Sequence, residues 1–514
     1  MMYYLSNTII HFTTNQQFPI NSFQRFPLTI LIFPAEIFSF LFTLYFIYNL
    51  LNGSIEESSP KKLSSKDKIS VAILLPVYNE PMNVVQRTII AAKKVEWPGQ
   101  VNIYILDDSN NVADKKNMAL LSKRFDCMLI TRKDNVGYKA GNVNNAIKHY
   151  IKEEFFIILD ADQAPEPELL DQTMDNFSDD TIGFVQTPQH YINADTPLER
   201  AATLGTNIFF QAQCQSKSRD HATPFCGTNA VIRTSAFKAI SGFSYYTSTE
   251  DLELGIRMDS QGYHGVYVAK NLVHGYAPVD YKAYSSQQYR WANGNVAILR
   301  ENWKNILFGN LTLRQQIHAI FTLGWWIIGV VTLIYIIVPL LSFFIGGTHH
   351  TWLPTWILIL LFFNVLIGIG IIYVSLHGRT DEKIYVSDAL LQYSLITNSA
   401  FIYAYAVIKA AFKNYTGFVR TNKVRSDSGI SLIKWNIMLA IICFGFSIFS
   451  LFKAAGATDI NTLRTFLPIS LWLLFYTLIL GSSIIFIGEQ AIPESIAERT
   501  TFRFNNINTE EAAA

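Results

Sequence analysis

Long apolar runs near both ends of the chain restrict its possible folds more than any other feature. Residues 27–51 contain no Lys or Arg. Four similar runs follow late in the chain, at residues 320–345, 352–376, 435–452 and 466–487. Because a helix needs about 20 apolar residues to cross a bilayer, we expect five transmembrane helices. The sequence therefore predicts a multi-pass protein of the cell membrane, with a transmembrane domain over residues 319–488 and the lipid bilayer as a partner.

Charge near these runs predicts their orientation. Four lysines follow the first run, at Lys61, Lys62, Lys66 and Lys68. Positive charge beside a membrane span marks the cytoplasmic side, so we expect residues 1–26 to be extracytoplasmic and residues 69–300 cytoplasmic. The tail, residues 489–514, is then cytoplasmic. Glu36 lies inside the first run, where an isolated acid is costly, and we expect it to face other helices or the membrane interface.

Two segments are apolar but are not predicted to cross the membrane. We expect residues 301–318 to form an interfacial helix. Residues 388–412 carry Gln392, Asn398 and Lys409, and the loop 413–434 that follows them is basic. If 388–412 crossed, that basic loop would lie outside, so we interpret the segment as an interfacial or re-entrant helix.

Composition supports a chain that is part soluble and part membrane-embedded. Of the 514 residues, 50% are hydrophobic and 16% are charged, which is too apolar for a soluble protein and too charged for a purely membrane one. The net charge of +1 gives no indication of nucleic acid as a partner. The four cysteines have no metal-ligand spacing, and we expect no disulfides.

Residues 69–300 alternate between strand-like and helix-like patterns. Apolar strands are predicted at Ser70–Pro76, Val101–Leu106, Cys127–Thr131 and Phe155–Leu159, with helices near 81–94, 112–124 and 140–150. This alternation predicts a Rossmann-like α/β domain with a parallel, doubly wound sheet.

Acidic residues follow two of these predicted strands. Asp160 and Asp162 end one strand, and Asp107 and Asp108 end another. Ligands of open α/β sheets bind at this carboxyl edge, and paired carboxylates can hold a hard divalent cation together with a phosphate. The alternative is an ordinary polar turn, since turns are rich in Asp.

Two later clusters also combine charge with a helical pattern. Thr249-Glu250-Asp251 is either a helix N-cap or a carboxylate held for base chemistry, and both can hold at once. Gln287, Arg290 and Trp291 share one helical face, which suits a diphosphate beside a sugar ring. The alternative for this face is an amphipathic helix at the membrane surface.

Taken in order, these motifs resemble the processive family 2 glycosyltransferases, which include cellulose, mannan, hyaluronan and chitin synthases. The resemblance extends over roughly residues 70–425 and implies a GT-A-type domain. Its motifs are Pro76-Val77-Tyr78-Asn79-Glu80-Pro81, Asp107-Asp108, Lys139-Ala140-Gly141-Asn142, Asp160-Ala161-Asp162, Pro224-Phe225-Cys226-Gly227, Thr249-Glu250-Asp251, Gln287-Gln288-Tyr289-Arg290-Trp291 and Phe418-Val419-Arg420-Thr421-Asn422-Lys423.

The resemblance implies a role for each matching residue. The donor nucleotide would be bound by Tyr78, Glu80, Asp107, Asp108, Lys139 and Asp160. Asp160 and Asp162 would hold its diphosphate through Mg²⁺ or Mn²⁺. Asp251 would be the general base beside Glu250, and Arg290 would stabilise the leaving diphosphate. The acceptor sugar would be bound by Phe225, Cys226, Gly227, Gln287 and Trp291. A gating loop, residues 418–423, would cover the site through Phe418, Thr421 and Lys423, although basic anchoring at a membrane surface is the alternative for this loop.

The implied activity is that of an inverting, metal-dependent hexosyltransferase. It would use a UDP- or GDP-hexose to extend a β-linked polysaccharide of glucan or mannan type and pass the growing polysaccharide across the membrane. The alternative is a non-processive enzyme that transfers one sugar to a polyprenyl phosphate or another lipid. A transporter without catalysis does not account for the soluble domain with its strand-end acids.

Overall fold

A seven-stranded sheet forms the centre of the soluble part of the chain. The computed structural model describes residues 20–54, 60–346, 355–380, 383–412 and 430–487. In spatial order the strands are β3 (Met128–Thr131), β2 (Val101–Asp107), β1 (Val71–Val77), β4 (Phe155–Ile158), β8 (Ala230–Arg233), β6 (Ile182–Gln186) and β9 (His264–Tyr267). The four strands predicted from sequence are all present in this sheet.

The α-helices of the described residues divide between the soluble part and a helical bundle. The first is α1 (Ile20–Gly53). The soluble part contains α2 (Met82–Lys93), α3 (Val112–Arg124), α4 (Tyr138–His149), α5 (Leu169–Thr173), α6 (Pro197–Asn207), α7 (Gln215–Arg219), α8 (Thr234–Ala239), α9 (Glu250–Ser260) and α10 (Tyr281–Phe308). The later helices are α11 (Leu313–Gly324), α12 (Ile328–Gly346), α13 (Thr355–Leu376), α14 (Val386–Asn398), α15 (Ala400–Ala411), α16 (Ile430–Ala455) and α17 (Ile460–Gly481).

The main sheet is mixed: the four predicted strands are parallel as expected, but a strand that was not predicted, β8, runs the other way. Strands β1 to β4 run parallel to one another, but β8 runs antiparallel to both of its neighbours, β4 and β6. The reason lies at the start of β8. The backbone N–H of Asn229 donates to the carbonyl of Ile158 at 3.0 Å, so the chain enters β8 beside the carboxyl end of β4. From that edge it can only run back across the sheet.

Helices cover both faces of the main sheet. Alternate strand residues such as Ile73 and Ile157 pack with α2 and α3 on one face. Leu74 and Phe156 pack with α4, α8 and α9 on the other face. Burial on both faces explains why the strands are continuous apolar runs rather than alternating ones.

A second, three-stranded sheet lies next to the end of β4. It consists of β5 (Ala164–Pro165), β10 (Val273–Gly275) and β7 (His190–Tyr191), in that order. Strand β5 begins two residues after Asp162. The small sheet therefore holds the chain that leaves the Asp160–Asp162 turn.

The described residues include four helical segments long and apolar enough to cross a membrane. They are Leu31–Gly53, Leu313–Leu341, Ser431–Ala455 and Thr462–Phe486. The remaining predicted span, 352–376, corresponds to α13, whose segment Leu361–Leu376 is apolar but shorter. The number of membrane crossings and their orientation stay predictions.

The segments expected at the interface are each divided between two helices. Residues 301–318 do not form one helix, because α10 ends at Phe308 and α11 begins at Leu313 with a capping box between Thr312 and Gln315. Residues 388–412 are likewise divided between α14 and α15, on either side of Ser399.

Glu36 in the first apolar run faces another helix. Its Oε2 accepts a hydrogen bond from Asn364 Nδ2 of α13 at 3.3 Å. This contact agrees with the expectation that a membrane-embedded acid turns towards neighbouring helices.

Candidate active site

The carboxyl ends of β1, β2 and β4 lie side by side and carry the predicted donor-binding residues. Asp107 is the last residue of β2, is 2% exposed, and accepts a hydrogen bond from the Ser109 N–H at 2.9 Å. Its Oδ2 is buried and accepts no hydrogen bond from the described residues. Tyr78 is 36% exposed beyond β1, while Glu80 is buried. This edge combines an exposed aromatic ring with buried acceptors, which suits a nucleoside.

Asp108 differs from its neighbour Asp107. Its two oxygens accept from Arg132 Nε at 2.7 Å and Nη2 at 2.6 Å. The same guanidinium donates to the carbonyls of Val136 and Tyr138. Asp108 therefore fixes the loop that leads into α4, a role that was not predicted from the sequence. Its direct contact with a nucleotide stays a prediction.

Lys139 connects three of the predicted motifs. Its Nζ lies 2.5 Å from Asp160 Oδ1 and donates to the carbonyl of Gly227 at 2.9 Å. Lys139 is on the first turn of α4, Asp160 follows β4, and Gly227 precedes β8. A single ammonium group thus lies where the expected diphosphate would meet the Asp160 carboxylate.

Asp160 and Asp162 fit a divalent cation held jointly with a diphosphate. The Asp160 side chain is 39% exposed, and Asp162 is 9% exposed. Carboxylate oxygens are the ligands that Mg²⁺ and Mn²⁺ prefer. Among the described residues, no group of three or more His, Cys, Asp or Glu side chains could hold a metal ion. A cation bound by these two acids would thus need the substrate to complete its shell.

Glu250 and Asp251 occupy the first turn of α9. Thr249 precedes them, but its side chain makes no capping bond; Asp251 Oδ1 instead accepts from the Leu252 N–H at 2.8 Å. Burial raises the pKa of Glu250 above the ordinary carboxyl value, and the Asp251 charge raises it further. Burial also raises the pKa of Asp251, although the hydrogen bond from Leu252 opposes this shift. A carboxylate with a raised pKa is a stronger base, as general base catalysis requires.

Gly227 brings the Phe-Cys-Gly loop against this acid. A Cβ at Gly227 would lie 2.7 Å from Asp251 Oδ2, and the φ of +76° also favours glycine. Only a glycine permits this approach. The loop and the predicted base therefore form one wall of the site.

Arg290 on α10 lies within the field of three acids. Burial lowers the pKa of the Arg290 guanidinium, and the charges of Glu250, Asp160 and Asp251 oppose this effect. The structure thus brings the predicted base, metal-binding and leaving-group residues into one site.

A cavity of about 380 Å³ extends from this site between α1, α12 and α13. Asp251, Cys226, Gln287 and Trp291 line its entrance. Ser39, Phe321, Tyr335, Asn364 and Tyr393 are among the bundle residues that line it further in. The geometry connects the predicted base directly with the interior of the helical bundle.

A stretch of the chain that contains much of this site is similar to known proteins. Residues 155–371 match the family described as "Glycosyl transferase family group 2". These residues therefore form a family 2 glycosyltransferase domain. The match confirms the resemblance that the motifs indicate. The mixed α/β sheet and the four long apolar helical segments agree with the expected fold class.

The chain is similar to bacterial cellulose synthases. It is 29% identical over 353 residues to cellulose synthase 2 of Novacetimonas hansenii, which is 67% of this chain and 22% of that protein. It is 31% identical over 283 residues to the UDP-forming cellulose synthase 1 catalytic subunit of Komagataeibacter xylinus, which is 54% of this chain and 37% of that protein. The chain thus spans well under half the length of either relative. Among solved structures, a mannosyltransferase from Pyrobaculum calidifontis in complex with GDP-Man and Mn²⁺ superposes with a TM-score of 0.49 at 15% identity, over 76% of this chain and 99% of that one.

Two predicted acceptor residues, Phe225 and Gly227, are not among the residues that line the cavity. Phe225 is fully buried and packs between Phe184, with ring centroids 5.4 Å apart, and Phe243, 6.1 Å apart. Gly255 of α9 approaches its backbone closely. Phe225 is therefore a core residue in this structure, whereas its neighbour Cys226 lines the cavity. A role for Phe225 in acceptor binding stays a prediction.

Several aromatic residues that line the cavity were not predicted from the sequence. Tyr191 lies on β7, Phe209 on the π-helix Ile208–Cys214, and Trp325 and Trp326 join α11 to α12. A π-helical turn often marks a functional site, but it leaves no signal in a single sequence. The gating residues Phe418, Thr421 and Lys423 lie outside the described residues.

Proposed function

We propose that this glycosyltransferase is an inverting, processive hexosyltransferase. It transfers a hexosyl group from a UDP- or GDP-hexose to the end of a β-linked polysaccharide of glucan or mannan type. It resides in the cell membrane as a multi-pass protein, with its catalytic domain on the cytoplasmic side, and passes the polymer through its helical bundle.

The observation that carries this proposal is the continuous cavity from Asp251 into the bundle. Among its lining residues in the described part of the chain, Lys217 and Asp251 are the charged ones; the others are aromatic, apolar, amide or hydroxyl side chains. Aromatic faces and neutral hydrogen-bonding groups suit an uncharged sugar chain. A cavity that ended at the catalytic residues would suit a single transfer instead.

The reaction follows from the positions of the charged residues. Asp251 removes the proton from an acceptor hydroxyl, whose oxygen attacks the anomeric carbon as the bond to the nucleoside diphosphate breaks. With one base and no covalent carboxylate nucleophile, this is a single displacement with inversion. Arg290 and Lys139 offset the charge gained by the leaving diphosphate, and Asp160 and Asp162 would hold a divalent cation that supplies further positive charge there.

The similarity to cellulose synthases supports a glucan product. One of these relatives is named as UDP-forming, which supports UDP-glucose as the donor. The buried Asp107 and exposed Tyr78 leave a place for a nucleobase at the strand edge.

The experiment is a donor panel with product analysis. Membranes containing the chain receive radiolabelled UDP- and GDP-hexoses in turn, with Mg²⁺ or Mn²⁺, and the product is sized and its linkages determined. We expect one donor to label a high-molecular-weight β-linked polymer. Asp162→Asn should abolish labelling, whereas Asp114→Asn, an acid in the first turn of α3 outside the predicted site, should leave it unchanged.

Two results would contradict the proposal. Label found only in a lipid-soluble fraction would identify the non-processive alternative with a polyprenyl phosphate or other lipid acceptor. Failure to incorporate any hexose would refute the assignment as a hexosyltransferase.

A further inference from the structure

Helix α2 contacts the turn that carries both predicted metal-binding acids. Arg87 Nη2 donates to the backbone carbonyl of Asp162 at 2.6 Å. The next residue, Thr88, is fully buried, and its Oγ1 donates to the carbonyl of Ala161 at 2.7 Å. Two successive side chains of one helix thus hold two successive carbonyls of the turn.

Tyr276 holds the Arg87 guanidinium in place. Arg87 Nη1 donates to the Tyr276 hydroxyl, and the guanidinium carbon lies 4.6 Å from the centroid of the Tyr276 ring. Tyr276 directly follows β10 of the small sheet. Because its rotamer is restrained by both contacts, the guanidinium is a fixed donor rather than a mobile surface group.

The turn needs such support because the sheet does not supply it. Strand β4 ends at Ile158, so residues 160–162 lie beyond its ladder of backbone hydrogen bonds. Their local bonds include one from the Asp160 N–H to Thr228 Oγ1 at 3.1 Å and one from the Gln163 N–H to the Asp160 carbonyl at 2.9 Å. Two carboxylates that share a cation must be placed to within about 0.5 Å, which requires support from a second layer of residues.

Helix α2 also begins next to the predicted nucleoside-binding segment. Its first residue, Met82, follows Tyr78–Glu80 after one proline. The same rigid helix therefore connects the nucleoside end of the donor site with the acids that meet the diphosphate.

We propose that Arg87 is a positioning residue for Asp162. It holds the Asp160–Asp162 turn in the shape in which both carboxylates bind one divalent cation with the nucleoside diphosphate. This inference rests on the proposed function, because it assumes the metal-dependent donor site described above.

The test measures metal affinity directly. The full chain in detergent is titrated with Mn²⁺ in the presence of UDP or GDP, and free Mn²⁺ is followed by electron paramagnetic resonance. We expect Arg87→Met to weaken Mn²⁺ binding by about 10–100-fold, the usual effect of losing an outer partner of a metal ligand. Nucleotide binding without metal should change less than about twofold, and Arg87→Lys should recover part of the loss. Tyr276→Phe, a milder change, should weaken Mn²⁺ binding in the same direction.

Arg233 provides a matched control on the same sheet. It donates to the carbonyls of Phe177, Ile182 and Asp179, and its guanidinium lies 5.3 Å from the Phe155 ring. These contacts resemble those of Arg87 but lie at the opposite end of β4. Arg233→Met should lower the unfolding temperature and leave Mn²⁺ affinity unchanged.

The outcomes separate this inference from the proposed function. The positioning role is refuted if the wild-type chain and Arg87→Met bind Mn²⁺ equally well. It is also refuted if Arg233→Met lowers the Mn²⁺ affinity as much as Arg87→Met does. In both cases the metal site itself stands. If the wild-type chain binds no Mn²⁺ with either nucleotide, the metal site of the proposed function fails, and the role of Arg87 fails with it.

Discussion

At the scale of single residues, the predicted site centres on one acid, Asp251, whose pKa is raised by burial. Asp251 is held by the Leu252 N–H on one side and lies against Gly227 on the other. Its carboxylate faces the cavity that also contains Trp291. The proposed role of Asp251 as general base is therefore supported by its position as well as by the motif.

We predict that Asp251→Asn leaves donor binding nearly unchanged and lowers transfer by about 10²–10⁴-fold, the usual effect of losing a general base. An amide keeps the shape of the side chain but cannot accept the proton. Nucleotide binding by calorimetry and initial rates of polymer labelling test this. An equal loss of donor affinity would show a binding role instead.

The pH dependence follows from the same acid. Because burial raises the pKa of Asp251 above its ordinary value of 3.8, kcat/KM should decrease as pH falls through that raised pKa, where the base becomes protonated. The folded chain also binds this proton more tightly than the unfolded chain, so the contribution of Asp251 to stability decreases as pH rises through the same range. A pH–rate profile whose acid limb lies at or below 3.8 would contradict the raised pKa.

At the scale of elements, α14 and α15 place polar residues between the soluble domain and the bundle. Asn398 at the end of α14 donates to the carbonyl of Ile479 at 2.8 Å, and its own carbonyl accepts from Asn436 at 2.8 Å. Gln392, Tyr393 and Tyr403 line the cavity. These contacts explain the polar residues that made residues 388–412 ambiguous in the sequence.

The gating prediction concerns residues 418–423, which follow α15 in the sequence. We predict that replacing Thr421 and Lys423 together with Ala stops elongation, because a closing loop excludes water and contacts the diphosphate only while nucleotide is bound. Product length and rate are measured in membranes, with folding and insertion checked by detergent extraction and size. Lys434→Ala, an exposed basic residue on α16, is the control and should have little effect. Unchanged product length in the double variant would favour membrane anchoring and a single-transfer enzyme.

At the scale of the whole molecule, one buried carboxylate joins the first helix, the soluble domain and α11. Asp220 Oδ2 accepts from the Tyr48 hydroxyl at 2.6 Å and contacts His318 Nε2 at 2.9 Å. Its Oδ1 accepts from Arg314 Nη1 at 2.9 Å. Burial alone would raise the pKa of Asp220, but these hydrogen bonds lower it below its ordinary value.

We predict that Asp220→Ala destabilises the folded chain by about 1–3 kcal/mol, since it leaves the buried His318 without its acceptor. Thermal unfolding in detergent measures this. Asp171→Ala, which removes a 69% exposed acid 3.4 Å from Lys66, should cost less than about 1 kcal/mol. Because the pKa of Asp220 is lowered, its contribution is present above pH 3.8 and is lost as pH falls through the folded-state pKa. Equal unfolding temperatures for the two variants would show that Asp220 does not join these parts.

The sequence by itself determined the elements and the chemistry of this protein. The length of the apolar runs predicted the long helices, and the shorter continuous apolar runs predicted strands β1 to β4. Both patterns are visible in the sequence because they depend on the side-chain period and burial of neighbouring residues. The order of the motifs indicated the family, and the strand pattern predicted that Asp107 and Asp160 would share one edge of the sheet, since ligands of open α/β sheets bind at the carboxyl ends of the strands.

Only the tertiary structure decided how neighbouring residues divide their roles. It reversed β8, because the direction of a strand depends on where the chain enters the sheet. The structure buries Phe225 in the core, whereas Cys226 lines the cavity. It also places Asp107 at the open edge of the sheet, whereas Asp108 pairs with Arg132. These differences arise from contacts between residues far apart in sequence, and a motif read along one chain contains no information about such contacts.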